Sequence, residues 1–218
     1  MSYLNLIDGQ SAAIVLGGTV IGTVLRCGLK NSAIAIGGLF GTLRPRFNGN
    51  RARAELAMQV QDIHRDGLLR AEPRHFGDEE FDEMTDTMIG RRSASALLEK
   101  HRAYKIARLA RSHVAVSTFS QAADLAPVFG LAGTLVALSQ LTANAAPGTL
   151  ISSSIPMAIL TTFYGLMTAH LLFSPLARFI ERRAHAEEAE RQKLVDWLAA
   201  ELERETHRQG FAREHLAA

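Results

Sequence analysis

The chain has 218 residues and a formal net charge of +2, from 24 Lys and Arg against 22 Asp and Glu. Acids and bases are interleaved rather than gathered on one basic face, which argues against a nucleic-acid binder. The single cysteine, Cys27, excludes an internal disulfide.

Charge is segregated along the chain. Leu125–Ala177 contains no Asp, Glu, Lys or Arg, and Gly9–Leu25 is a second uncharged run. An apolar stretch of about 18 residues without charge is already a candidate membrane span, so the longer run has room for two spans and a turn. No strand pattern and no internal repeat stands out. The pattern predicts an all-α integral membrane protein with three transmembrane helices and long cytoplasmic helical extensions.

Residues 1–30 carry the first transmembrane helix, from about Ser11 to Leu29. The leading MSYLNLID holds an acid and no Lys or Arg. It lacks the basic flank of a signal peptide, and the span is expected to be retained. Arg26 and Lys30 mark its inner end by the positive-inside rule. Gly18 and Gly22, with Gly17 beside them, make a GxxxG spacing that lets helices approach closely in lipid. Helix packing within the chain and dimerisation through the motif are both open.

Residues 31–115 read as a cytoplasmic helical region. Ile34–Leu43 is apolar and glycine-rich but too short to span, and fits an interfacial helix or a continuation of span one. Arg51–Gly67 places Leu56, Val60 and Ile63 at helical spacing. Arg70–Met84 is charged and carries Pro73 and Gly77; a helical pattern from Asp82 to Ile89 is interrupted by Gly90. From Ser93 a helical run continues without Gly or Pro to Pro127, leading from cytosol into membrane. Pro127 is expected to kink it near the inner interface.

Residues 116–178 read as a transmembrane hairpin, with span two at about Leu125–Leu141, an outer turn at Thr142–Gly148 and span three at about Leu150–Ala177. Arg108 and Arg111 before it, and Arg178, Arg182 and Arg183 after it, place both inner ends in the cytosol. The resulting topology is multi-pass in the inner (plasma) membrane, N-terminus outside and C-terminus cytoplasmic. Residues 179–218 form a charged C-terminal cytoplasmic helix, whose Leu194, Trp197, Leu198 and Leu202 make an apolar stripe suited to a neighbouring helix.

No P-loop, dinucleotide glycine fingerprint, HExxH or nucleophile elbow is present. No enzyme activity and no cofactor is expected. A lone cysteine and scattered histidines make no metal set at recognisable spacing. Span two carries Thr134 with Pro127, Gly130 and Ala137 near the same face. Span three carries Ser154, Ala158, Thr161, Gly165 and Thr168 as a small and polar stripe, with Thr162 beside it. In one reading these residues serve close helix contact and each hydroxyl bonds back to its own backbone. In the other the hydroxyls line a wet path and help dehydrate a passing cation.

No span has an acid at mid-membrane depth, and Asp124 lies only near the inner edge of span two. An ion path through lipid needs an ionisable carrier, so a conducting chain must borrow its carboxylate from another chain. His170 is the only titratable residue deep enough to substitute, and is expected as a buried, neutral histidine packed or bonded between helices.

Three stretches carry a family resemblance. Ile14–Thr19 (IVLGGT), Ala126–Thr134 (APVFGLAGT) and Thr161–Arg183 (TTFYGLMTAHLLFSPLARFIERR) resemble the MotA/TolQ/ExbB proton channel family, and Asp62–Glu72 (DIHRDGLLRAE) is similar to one of its cytoplasmic helices. The motifs look most like the flagellar stator branch, MotA, with its first span missing. The resemblance implies a homopentamer around two single-span partner chains of the MotB, TolR or ExbD kind. The partner would supply the ion-binding aspartate, and proton or sodium flow would do mechanical work. It implies Thr134 and Thr162 at the ion path, Pro127 and Pro175 as coupling hinges, and Gly130, Gly133 and Gly165 as packing positions. The output would be flagellar rotation through a cytoplasmic rotor protein, or TolQ/ExbB-like work on the outer membrane; a non-conducting scaffold ring is the alternative. The stretch that corresponds to rotor-contacting charges holds Arg70, Glu72, Arg74, Asp78, Glu79 and Glu80, and its default reading is a solvated charged loop.

Overall fold

The computed structural model describes residues 8–42, 47–66, 78–91, 93–143 and 151–217. Every regular element among them is helical: α1 (Gly9–Cys27), α2 (Leu29–Thr42), α3 (Gly49–Asp66), α4 (Glu79–Arg91), α5 (Ala94–Ala143), α6 (Ile151–Met167), a π-helical turn (Thr168–Phe173) and α7 (Ser174–Ala217). Three of these stretches are long and apolar enough to cross a membrane, at Gly9–Cys27, Ser95–Ser139 and Ile155–Arg204. The chain divides into two compact units, one of Met1–Arg44 with Arg111–Arg183 and one of Pro45–Ala110 with Ala184–Ala218.

In the first unit α1 starts at Asp8, whose carboxylate accepts from the backbone N–H of Gln10 and Ser11 and from the Ser11 hydroxyl. The Asp8 N–H donates to the Tyr164 hydroxyl at 3.3 Å, tying the head of α1 to α6. The helix ends at Gly28, which sits at φ +83° and donates its N–H to the Val24 carbonyl. Only glycine takes that left-handed position without strain, so it is there that the apolar run splits into α1 and α2 rather than continuing as one helix. The buried stripe of α1 is Ser11, Val15, Thr19 and Thr23, small residues at every fourth position. Thr19 and Thr23 donate to the carbonyls of Val15 and Thr19, so their hydroxyls are satisfied within the helix. Leu16, Val20, Ile21 and Leu25 face outward and are exposed, as suits a helix whose solvent is hydrocarbon.

The Gly18–Gly22 face is filled by this chain's own Phe129. A Cβ on Gly18 would run into the Phe129 ring, and one on Gly22 would lie 2.8 Å from it. The GxxxG spacing therefore seats an aromatic side chain of α5. Pro127 is carried inside α5 without ending it. The outer turn residues 144–148 lie outside the described residues.

The second unit is a four-helix packing around an apolar core. Leu56 and Val60 of α3, Phe81, Met84 and Met88 of α4, Leu97 of α5 and Leu194, Val195, Leu198 and Leu202 of α7 are buried together. The apolar stripe on the tail is thus core, with Trp197 packed at its margin under Arg53. As the sequence predicts, the helix stops at Gly90: α4 ends at Arg91, and the Ser93 N–H donates to the Met88 carbonyl at 3.2 Å. Before that end, Met84 and Met88 are fully buried and anchor α4 in the core. The side chain of Ile63 lies outside the described residues.

Candidate functional site

The helices α5 and α6 of the membrane unit meet backbone to backbone. A Cβ on Gly130 would lie 3.0 Å from the Thr161 carbonyl oxygen and 3.3 Å from the Gly165 Cα. One on Gly165 would lie 2.8 Å from the Ala126 carbonyl oxygen, 3.1 Å from the Gly130 Cα and 3.3 Å from the Pro127 Cα. One on Gly133 would run into the Thr161 side chain, 2.7 Å from its Cγ2. Pro127, Gly130, Gly133 and Gly165 are therefore gathered at a single crossing, with Thr161 sealed inside it. Pro175 stands apart, at the start of α7.

Thr134 lies one turn beyond Gly130 on α5, and Thr162 lies next to Thr161 on α6; both are half-buried. The Thr134 hydroxyl donates to the Leu131 carbonyl at 2.7 Å, and the Thr162 hydroxyl donates to the Ala158 carbonyl at 3.2 Å. Their donors are used within their own helices, and the oxygen lone pairs are what they offer outward. No hydrogen bond among the described residues joins the two. Around them α5 exposes Val128, Leu131 and Leu135, and α6 exposes Ile155, Ile159 and Phe163.

Below the crossing the span changes its winding. The Ser174 N–H donates to the Ala169 carbonyl, an i→i−5 bond that closes the π turn Thr168–Phe173. Pro175 follows directly. It has no N–H for the carbonyl of Leu171 and its ring crowds that carbonyl, so the ladder loses its ordinary register here. Such turns occur often at functional positions. His170 sits in this turn with its side chain exposed, rather than packed between helices as the sequence suggested. The buried line of the span is Thr161, Gly165 and Ala169, and His170, one residue further on, is rotated off it. The π turn and the Phe129 seat were not anticipated; the one signal for the latter was a bulky aromatic beside a glycine-rich helix.

In the second unit the carboxylates of Asp78 and Glu80 are engaged inside the fold. Arg191 pairs with Asp78 at 2.9 Å, Glu80 at 3.5 Å and Glu187 at 3.2 Å, and lies 4.2 Å over the Phe47 ring. Arg108 pairs with Glu80 and with Glu188. Burial alone would lower the pKa of the Arg191 guanidinium, but Asp78, Glu80 and Glu187 together raise it. Two of the charges that would suit a rotor contact thus hold the unit together, and Arg70, Glu72 and Arg74 lie outside the described residues.

Comparison with known proteins decides the family. The model of the MotA/TolQ/ExbB proton channel family matches residues 72–193, more than half of the chain. The chain belongs to this family. It is a channel family rather than an enzyme class, and with three membrane-length helices this member is a multi-pass membrane protein. Motility protein A of Cereibacter sphaeroides is 24% identical over 197 residues, which is 88% of this chain and 76% of that protein. Motility protein A of Borreliella burgdorferi is 34% identical over 86 residues, 39% of this chain and 33% of that protein. Among solved structures, MotAB of C. jejuni superposes with a TM-score of 0.82 at 18% identity, covering 93% of this chain and 81% of that one. That likeness is one of fold, and it extends through the helical unit as well as the spans.

Proposed function

We propose that this chain is the channel-wall subunit of an ion-driven membrane motor of the MotA kind. Five copies would surround two single-span partner chains, with the N-terminus outside and the C-terminus in the cytosol. Ion flow past the α5–α6 hairpin would turn the ring. The observation that carries this reading is the pairing of a backbone-close helix crossing at Gly130 and Gly165 with hydroxyl oxygens at Thr134 and Thr162, in a span region that has no carboxylate of its own. Such a wall has no carboxylate to hold the ion, so the carrier aspartate belongs to the partner. Similarity to motility proteins and to a MotAB structure favours flagellar output over outer-membrane work. Among the candidate rotor charges, Glu79 is the described acid that no ion pair ties into the core.

The experiment is isolation of the tagged protein in mild detergent and intact-complex mass spectrometry. Five copies with two of a small single-span chain bearing a membrane aspartate are expected. A ring without such a chain, or a lone subunit, would replace the motor by a non-conducting scaffold.

A further inference from the structure

We propose that His170 is the inner proton-transfer group of this channel, and that the ion it passes is therefore the proton rather than sodium; the inference rests on the motor reading above. Four observations meet at this residue. From Leu125 to Ala177 the chain has no Asp, Glu, Lys or Arg, so the imidazole is the side chain at that depth built to take up and hand on a proton. It lies in the π turn, where the winding of the span changes. It is exposed on the chain and makes no hydrogen bond among the described residues. And it stands at i+8 from Thr162, with exposed Leu166 at i+4, so the three follow one ridge of the span.

Depth makes the exposure informative. His170 lies eight residues before Arg178, roughly 10 Å up the helix from the first inner charge. A ring nitrogen turned into hydrocarbon at that depth forfeits its hydrogen bonds, and ionisable groups in spans face protein or water instead. The occupant of this ridge is accordingly the water and partner surface of the conduction path, with Thr162 at its outer end and His170 at its inner end.

The step is a two-stage proton relay. A proton lost from the partner's carboxylic acid, as its O–H bond breaks, is taken through water onto the unprotonated ring nitrogen of His170, forming an N–H bond. The imidazolium then loses the proton on its other nitrogen to cytosolic water. The carboxylate is left charged and the histidine neutral, and rotation of the imidazole ring brings its unprotonated nitrogen back to the outer side for the next cycle. A sodium ion has no use for such a relay.

The test uses the complex isolated from its own cells, reconstituted in phosphatidylethanolamine–phosphatidylglycerol vesicles with a trapped pH dye and an imposed potassium diffusion potential. His170→Gln keeps a hydrogen-bonding side chain but cannot relay a proton; proton influx is expected to fall about 100-fold, the scale of one general acid–base group, with the intact mass of the complex unchanged. His170→Ala should be equally slow and should recover part of its flux in added imidazole, which a packing role would not allow. Wild-type flux in His170→Gln, failure of imidazole to restore His170→Ala, or influx of sodium in place of protons would each overturn the proposal while leaving the motor intact. A wild-type complex that conducts neither ion would overturn both.

Discussion

The closeness of α5 and α6 gives the sharpest quantitative expectation. In Gly165→Ala the new methyl carbon would lie 2.8 Å from the Ala126 carbonyl oxygen, 3.1 Å from the Gly130 Cα and 3.3 Å from the Pro127 Cα. All three neighbours are backbone, so no side chain can rotate away and the two helices must separate. Overpacking of this kind costs about 1–3 kcal/mol. Alanine returns about 0.5–1 kcal/mol of helix propensity, so the net change runs from about neutral to about 2.5 kcal/mol destabilising, and relative to a propensity-only control the full about 1–3 kcal/mol remains. Gly17→Ala is the control, because nothing lies within 4 Å of its added Cβ and only the propensity gain applies. Gly133→Ala is a second case, since its methyl meets the Thr161 side chain; Thr161→Ser, which removes that Cγ2, should relieve Gly133→Ala in part and do nothing for Gly165→Ala. The assay is the thermal midpoint of each purified variant in one detergent. A midpoint for Gly165→Ala equal to that of Gly17→Ala would refute the backbone contact on which the site rests.

Two further expectations concern single side chains. Arg191→Met removes the guanidinium that pairs Asp78 and Glu80 while keeping its bulk over Phe47; the second unit should lose about 2–3 kcal/mol, below the usual cost of breaking a buried pair because the two carboxylates keep some solvent, as read by loss of helicity on urea titration. Glu187→Gln, on the exposed side of the same cluster, should cost under about 1 kcal/mol, and equal costs for both variants would remove Arg191 from its central place. Thr162→Val keeps the shape of the side chain and removes the oxygen lone pairs; ion flux should be lost with the complex still assembled, and normal flux would take Thr162 off the ion path.

How much of this was legible in the sequence depends on what each feature needs. The spans, the long helices and the apolar stripe on α7 follow from charge segregation and from a 3.6-residue period, and both are printed in the chain. The hairpin glycines were legible as small residues, but not which atoms they admit. Gly18 and Gly22 advertised a close neighbour without naming it, and the neighbour is Phe129, more than 100 positions away. Gly90 was a sound stop signal, since α4 ends one residue after it. The candidate rotor charges could be counted, but their engagement with Arg191 and Arg108 depends on how α4, α5 and α7 pack.

The π turn is the least local feature, and the buried pattern of the third span explains why it is needed. Thr161, Gly165, Ala169 and Ala177 are all buried, at multiples of four residues along the chain. In a regular α-helix each step of four overshoots a full turn by about 40°, so the sixteen residues from Thr161 to Ala177 would accumulate roughly 160°. Ala177 would then point nearly opposite to Thr161, away from the helices that bury it. The wider i→i−5 turn at Thr168–Phe173 rotates the chain less per residue and takes back part of that drift. Pro175 opens the ladder at the place where this correction occurs. Only the last residue of the Thr162–Leu166–His170 ridge lies within the π turn. A substitution that lets the regular helix run through Pro175 should therefore disturb burial of Ala177 and the placement of His170 together.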